Sequence, residues 1–290
     1  MEKLFAVSDV HGFYTILKEN LEAKGFDLSD PEHVLLINGD LFDRGDEAIE
    51  LFEFVKKLND KGRLIYIRGN HEDLLLDAME EIKVYSRVCG DHHYSNGTVD
   101  TIAQFTGDDD IAKKLNGKCV LTESEKEFVN ERLVPVLKFI DDNTVSYYEF
   151  GTYIFTHGWL PCTFFHYFFE TDFSDICPNW RDLDRDGIEW RDARWYNGGR
   201  AWQQECYIGE KTIVCGHFHC SWGHANIHRD RKEWPDKSRK NWRESFETFF
   251  DKGIIMMDAC TAYSGMMNVL AFKIQFDEKI IEDNLVLINN

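Results

Sequence analysis

Three short apolar runs punctuate the first third of the chain: Leu4–Val7, Val34–Ile37 and Leu64–Ile67. Each is four residues long and drawn from aliphatic and aromatic side chains. That length and content predict buried strands. Between them Tyr14, Ile16, Leu17 and Leu21 fall near helical spacing, as do Ile49, Leu51, Phe52, Val55 and Leu58. The strand ends recur roughly every 30 residues, the length of a strand–helix–strand unit. The pattern therefore predicts a parallel sheet core.

From about residue 72 to 135 the pattern turns polar and helical, which predicts a helical insertion over one end of the sheet. Strand signals return at Thr144–Glu149 and Thr152–Thr156, a predicted hairpin around Gly151. Further strands are predicted at Lys211–Cys215, Gly253–Asp258 and Met267–Ile274. The aromatic run Phe164–Phe169 reads as a buried or cap-packing segment. A second insertion, at about 229–250, is rich in Arg, Lys and Trp and reads as a charged, solvated stretch. With no repeats and no low-complexity linker, residues 1–290 are expected to form a single domain carrying two insertions.

Composition narrows the class. A hydrophobic fraction of 43% is enough for a sizeable core. No apolar run reaches the roughly 18 residues of a membrane span. The N-terminus enters an apolar strand without the basic start of a secretory signal, so a cytoplasmic location is expected. The eight cysteines include no CxxC pair and read as free, buried thiols. A formal net charge of −19 repels nucleic-acid backbones and argues against a polymeric nucleic-acid partner. It also repels phosphate substrates, unless something reverses the field locally.

The residues just after each apolar run supply that something. The first run leads to Asp9-Val10-His11-Gly12. The second leads to Gly39-Asp40-Leu41-Phe42-Asp43-Arg44-Gly45, and the third to Gly69-Asn70-His71-Glu72. The hairpin ends in His157-Gly158, and the strand near 214 ends in Gly216-His217-Phe218-His219. In open α/β sheets, sites form beyond the carboxyl ends of strands. Carboxylate, imidazole and amide oxygen suit divalent ions such as manganese, iron or zinc. Two such ions about 3.5–4 Å apart, with Asp40 as a natural bridge, form a clamp for in-line displacement. Their positive charge outweighs Asp9 and Asp40 and reverses the local field.

In this order the motifs resemble the calcineurin-like metallophosphoesterases, over roughly residues 4–275. The Asp43-Arg44-Gly45 extension and Glu72 resemble the phosphoprotein phosphatase branch. That branch includes phage-type serine/threonine phosphatases and diadenosine tetraphosphate hydrolases. The resemblance implies an α/β fold, a four-layer sandwich of two mixed β-sheets flanked by helices. It implies two divalent metal ions, with manganese favoured over iron or zinc. Asp9, His11 and Asp40 would hold the first, with His219 as an additional ligand; Asp40, Asn70, His157 and His217 would hold the second. His71 would be the general acid, oriented by Asp43, and Arg44 a phosphate clamp suited by its planar fork. The resemblance also calls for a second substrate arginine, for which Arg191 and Arg194 are the candidates, and Tyr263 is a candidate substrate contact. Asn70 would also face substrate.

The implied activity is hydrolysis of phosphomonoesters, of the serine/threonine phosphatase type, by in-line attack of a metal-bridging hydroxide. The partner is then a phosphorylated substrate, either a phosphoprotein or a small phosphate ester or nucleotide. A bis(5'-nucleosyl)-tetraphosphate hydrolase on the same site is the alternative. A non-catalytic scaffold is disfavoured, because Asp9, His11, Asp40, Asn70, His71, His157 and His217 are all present. Trp159 departs from the pattern, standing where that branch carries a second glycine; a ring there would narrow the cleft or form its floor.

Overall fold

Successive side chains of a strand point to opposite faces, and here both faces are apolar. In β1 (Lys3–Val7), Leu4 and Ala6 enter one core while Phe5 and Val7 enter another. β2 (His33–Asn38) repeats the division, with Val34 and Leu36 on one side and Leu35 and Ile37 on the other. A contiguous apolar run therefore sits between two packed layers.

The computed structural model describes residues 2–167, 170–227 and 245–288. The expected charged insertion lies largely outside the described residues. In chain order the remaining strands are β3 (Leu64–Ile67), β4 (Thr144–Val145), β5 (Tyr147–Phe150), β6 (Tyr153–Thr156), β7 (Cys162–Tyr167), β8 (Glu170–Ile176), β9 (Thr212–Cys215), β10 (Phe249–Asp251), β11 (Ile254–Met256), β12 (Leu270–Asp277) and β13 (Glu282–Leu287). The helices are α1 (Tyr14–Ala23), α2 (Ala48–Asn59), α3 (Asn70–Tyr85), α4 (Asp91–Asn96), α5 (Thr98–Thr106), α6 (Asp109–Asn116), α7 (Glu123–Asn143), α8 (Ile188–Ala193), α9 (Gly198–Gln203), α10 (Cys220–Asn226) and α11 (Thr261–Ser264).

One sheet runs β13-β12-β1-β2-β3-β4 and the other β10-β11-β9-β6-β5. β1 to β4 are parallel, as are β6, β9 and β11; the outer strands β12, β13, β5 and β10 pair antiparallel. The sheets face each other across a core of Leu4, Ala6, Leu36, Ile67, Phe155, Val214, Ile255 and Phe272. Helices α1 to α3 and α5 to α7 cover the far face of the six-stranded sheet. Trp180, Trp190, Tyr196, α9 and the β7–β8 ribbon cover the far face of the other. This is the four-layer sandwich of two mixed sheets, and each fully buried Val, Leu, Ile or Phe side chain in it contributes about 1.5–3 kcal/mol.

Four expectations change. The helices at 70–143 do not form a separate cap over one end; their Leu75, Ile82, Ile102, Leu133 and Ile140 join the same core as Phe5 and Leu35. The predicted strand 144–149 is divided between the sheets, β4 pairing with β3 and β5 pairing with β6. The aromatic run begins as β7 of a hairpin, with Phe164 packed on Tyr196 but Phe165 exposed. Two cysteines, Cys89 and Cys119, are also exposed rather than buried.

At the carboxyl ends of the strands a buried side chain bonds across from one sheet to the other. Asn38 ends β2, is fully buried, and donates its amide hydrogens to Thr156 O at 3.0 Å and Val214 O at 3.2 Å. That places the ends of β2, β6 and β9 side by side.

Candidate metal centre

Six strands deliver polar groups to this junction. Asp9 and His11 follow β1, Asp40 follows β2, and Asn70 and His71 follow β3. From the other sheet, His157 follows β6, His217 and His219 follow β9, and Asp258 follows β11. The chain must turn sharply at each end. Asp9, His11, Asp40, Asp43, Arg44 and His217 all adopt left-handed conformations, with φ between 52° and 75°. For non-glycine residues such conformations are strained and cluster at functional sites. Two motif glycines are required for close approach. A Cβ on Gly39 would lie 2.2 Å from His157 Nδ1, and one on Gly69 would lie 2.2 Å from Asp40 Oδ1.

Asp40 is central. Its Oδ1 lies 3.2 Å from His157 Nε2 and accepts the His71 backbone N–H at 3.0 Å. Its Oδ2 lies 3.7 Å from His11 Nε2 and 3.8 Å from His71 Nε2. Asn70 Oδ1 lies 2.9 Å from His157 Nε2. His11, Asp40 and His71 form one trio, and Asp40, His157 and His217 another; within each, the ligand atoms lie within 4.8 Å of one another. Asp9 belongs to neither trio. Its carboxylate accepts the His217 backbone N–H at 3.1 Å and the Ser8 hydroxyl, although it lines the same cavity. His219 also lines the cavity, with Nδ1 2.8 Å from Asp258 Oδ2.

Buried partners hold these groups in place. His11 and His157 point Nδ1 at the carbonyls of Phe42 (3.0 Å) and Asn38 (2.9 Å), which leaves Nε2 toward Asp40. Orientation of one ring nitrogen by a backbone carbonyl is typical of ligating histidines. Glu72 is 1% exposed and accepts four donors: the N–H groups of Asp40, Leu41 and Gly69, and the Tyr66 hydroxyl. His71 Nδ1 lies 2.7 Å from Asp43 Oδ2, and Arg44 reaches His71 Nε2 at 3.3 Å. Asp43 in turn accepts the hydroxyls of Thr98 (2.8 Å) and Thr101 (2.7 Å) from α5.

Protonation follows from this packing. Burial resists ionisation of Asp40, but the charges of His157 and His71 outweigh it and hold the carboxylate well below its usual range. Burial also resists charge on His157, yet Asp40 raises that imidazole to about 10. Burial and the nearby Asp258 charge push Asp9 up to about 8. Burial and His157 push His217 down to about 3. On His71 burial is again outweighed, by Asp40 and the Asp43 hydrogen bond, and the ring holds its proton above the usual histidine range.

The donor set fits divalent cations. It is built of carboxylate, imidazole and amide oxygen, it is buried apart from the half-buried His217 and His219, and Asp40 presents one oxygen to each trio. Asp9, His11, Asp40, Asn70, His157, His217 and His219 are the residues that could hold them.

The candidate substrate residues are placed differently. Arg44 lines the cavity of about 280 Å³. Arg194 does not; it is 2% exposed and bonded to Asp73 Oδ2 at 2.7 Å and Arg185 O at 2.6 Å. Arg191 pairs with Asp77 at 2.6 Å, and Tyr263 is exposed beside Phe246; neither is part of the lining. Trp159 is fully buried in the outer core and donates to Cys206 O at 2.8 Å, so it does not narrow the cleft. Trp195, Phe218, Trp222 and Asn96 do line the cavity. The sequence held a signal for the first of these, a tryptophan directly after Arg194. For Thr98 and Thr101 it held none.

The fold and this cluster define a class, the two-sheet α/β proteins with a carboxylate–imidazole centre at the strand ends. Within it, the chain belongs to the calcineurin-like phosphoesterase family, whose sequence profile matches residues 3–221. It is 37% identical over 71 residues to the asymmetrical bis(5'-nucleosyl)-tetraphosphatase PrpE of Bacillus velezensis, covering 22% of this chain and 28% of that protein. It is 36% identical over 84 residues to the symmetrical bis(5'-nucleosyl)-tetraphosphatase of Nitrosospira multiformis, covering 29% of each. The matched stretches thus span less than a third of these curated relatives. A crystal structure of a point mutant of a cold-active protein tyrosine phosphatase shares the fold at 15% identity and a TM-score of 0.51, over 98% of this chain and 80% of that one. Among the described residues, no helix is long and apolar enough to cross a membrane.

Proposed function

We propose that this protein is a divalent-cation-dependent phosphoesterase that hydrolyses phosphomonoesters. The observation that carries the reading is His71. Its Nδ1 is tied to Asp43 at 2.7 Å, and its Nε2 faces the same cavity as Asp40 and Arg44. Divalent cations held by Asp9, His11, Asp40, Asn70, His157, His217 and His219 would supply charge neutralisation for phosphoryl oxygens and acidify water at neutral pH, which leaves His71 free to carry a proton. Arg44 offers a planar fork of donors to the phosphate. Asp43 fixes the His71 tautomer and favours its protonated form. His71 then gives the Nε2 proton to the oxygen that leaves phosphorus as the bond from water forms. No side chain needs to become phosphorylated.

The resemblance in the sequence implies a serine or threonine side chain as the carrier of that phosphomonoester. A second reading, hydrolysis of dinucleoside polyphosphates on the same site, is supported by the names of the curated relatives. One experiment tests both. Protein stripped with chelator is assayed with and without manganese on an aryl phosphate, a phosphopeptide and diadenosine tetraphosphate, with His71→Asn alongside. Restoration by manganese and a fall of about 10²–10⁴-fold in kcat for the variant are expected. Full activity without cations would overturn the reading.

A further inference from the structure

The cavity beside the cation cluster has an aromatic side that the phosphate chemistry does not use. Trp195 is 46% exposed, yet the backbone around it is fixed. Its own N–H donates to Asp192 O at 2.9 Å, and both neighbours, Arg194 and Tyr196, are buried. A large ring left in water on a pinned backbone is a surface kept open for contact, not one exposed by looseness. The ring meets His217 edge-on, with centroids 5.6 Å apart, and Phe218 meets His217 at 5.1 Å. His217 is a member of the trio around Asp40. The aromatic surface therefore begins one ring contact away from the place a phosphate would occupy. Trp222 continues it, and room for that indole is made by Gly199, where a Cβ would lie 2.6 Å from the ring.

We propose that Trp195, with Phe218 and Trp222, forms a stacking wall that selects phosphates carried on a planar aromatic ring. The proposal rests on the phosphoesterase reading for the phosphate end of the ligand, and on the wall alone for the ring end, which it sets in place of the serine or threonine carrier. At about 280 Å³ the cavity is at the small end for ligand sites and suits a phosphate with one ring system. Flat indole faces stack on any π-face and give an aliphatic chain no comparable contact. A nucleobase and a phenyl ring share this chemistry and differ in their distance from phosphorus.

The test measures binding as well as turnover. Manganese-loaded protein is titrated by calorimetry and tryptophan fluorescence with adenosine 5'-monophosphate against ribose 5-phosphate, and with phenyl phosphate against glycerol 3-phosphate. Each pair differs by a ring, and the pair with the larger ratio shows whether the ring sits next to phosphorus or one sugar away. A ring advantage of about tenfold in Kd is expected in at least one pair. Trp195→Ala brings that ratio close to one, while Trp195→Phe keeps most of it. The exposed position lets both variants fold, and a melting curve confirms it. No ring advantage in either pair, or a ratio unaltered in Trp195→Ala, overturns the wall. A ring advantage without turnover of any phosphate ester keeps the wall and removes the phosphoesterase reading. Turnover without a ring advantage does the reverse.

Discussion

Asp43 accepts the His71 Nδ1 proton at 2.7 Å and, on the same carboxylate, the hydroxyls of Thr98 and Thr101. The charge that orients the proposed acid is thus itself oriented by α5, an element far from the motif in sequence. Hydrogen bonds to a buried carboxylate contribute about 1.5–3 kcal/mol each. Thr98→Val and Thr101→Val are therefore expected to lower kcat by about tenfold each while cation content stays at the wild-type level. Metal analysis beside steady-state kinetics checks this; unchanged kcat in the double variant would remove α5 from the mechanism.

Arg44 and Arg194 should respond oppositely to the same change. Arg194 and Asp73 form a buried pair at 2.7 Å, and removing the arginine strands the carboxylate. Arg194→Ala is expected to cost about 3–5 kcal/mol of stability. Arg44 lines the cavity, so Arg44→Ala should leave the unfolding midpoint near wild type and raise KM. Denaturant unfolding and kinetics on the two variants separate a structural arginine from a phosphate-binding one.

Glu72 carries a heavier load than its place in the motif suggests, since four donors converge on it. Glu72→Ala leaves three backbone N–H groups and the Tyr66 hydroxyl without their partner. A loss of about 3 kcal/mol or more is expected, at about 1–3 kcal/mol per stranded group with partial relief by water. Because two of those N–H groups belong to Asp40 and Gly69, cation affinity should fall with it. Calorimetric titration of manganese would reveal an intact affinity if the glutamate only stabilises the fold.

Cation binding should expel protons. In the cation-free protein His157 is held protonated up to about pH 10 by Asp40, and Asp9 stays protonated up to about pH 8. Ligands must be deprotonated to bind. At pH 7 binding therefore releases protons, and apparent affinity climbs as pH rises from 7 towards 10. The sign for stability is the opposite. The raised His157 value means that its pairing with Asp40 stabilises the cation-free fold fully below the ordinary histidine range, and that this contribution fades as pH rises through about 10. Binding heats compared in two buffers of different protonation enthalpy measure the proton count; identical heats would contradict proton release.

The chain displays its strand ends openly. Each is a four-residue apolar run followed by a carboxylate, an imidazole or an amide, so the cluster around Asp40 could be read one motif at a time. The four layers are also visible in β1 and β2, where contiguous apolar residues leave no face for water. Arg194 misleads because a tryptophan-flanked arginine reads the same whether it meets phosphate or Asp73, and only the fold places Asp73 beside it. Thr98, Thr101 and Trp195 reach the site through contacts across long stretches of chain, which local spacing does not encode. The divided strand at 144–149 is of the same kind. Thr144 and Tyr147 look alike in β-propensity but pair with different sheets.

The left-handed residues at Asp9, His11, Asp40, Asp43, Arg44 and His217 carry a consequence for how such a protein changes over time. Glycine would relieve that conformation by roughly 1–2 kcal/mol per residue, but at Asp40 it would also strand His157, 3.2 Å away, and at Asp43 it would strand His71, Thr98 and Thr101. Strain and buried pairing act against each other at these strand ends, so substitutions that raise heat resistance are expected elsewhere in the chain.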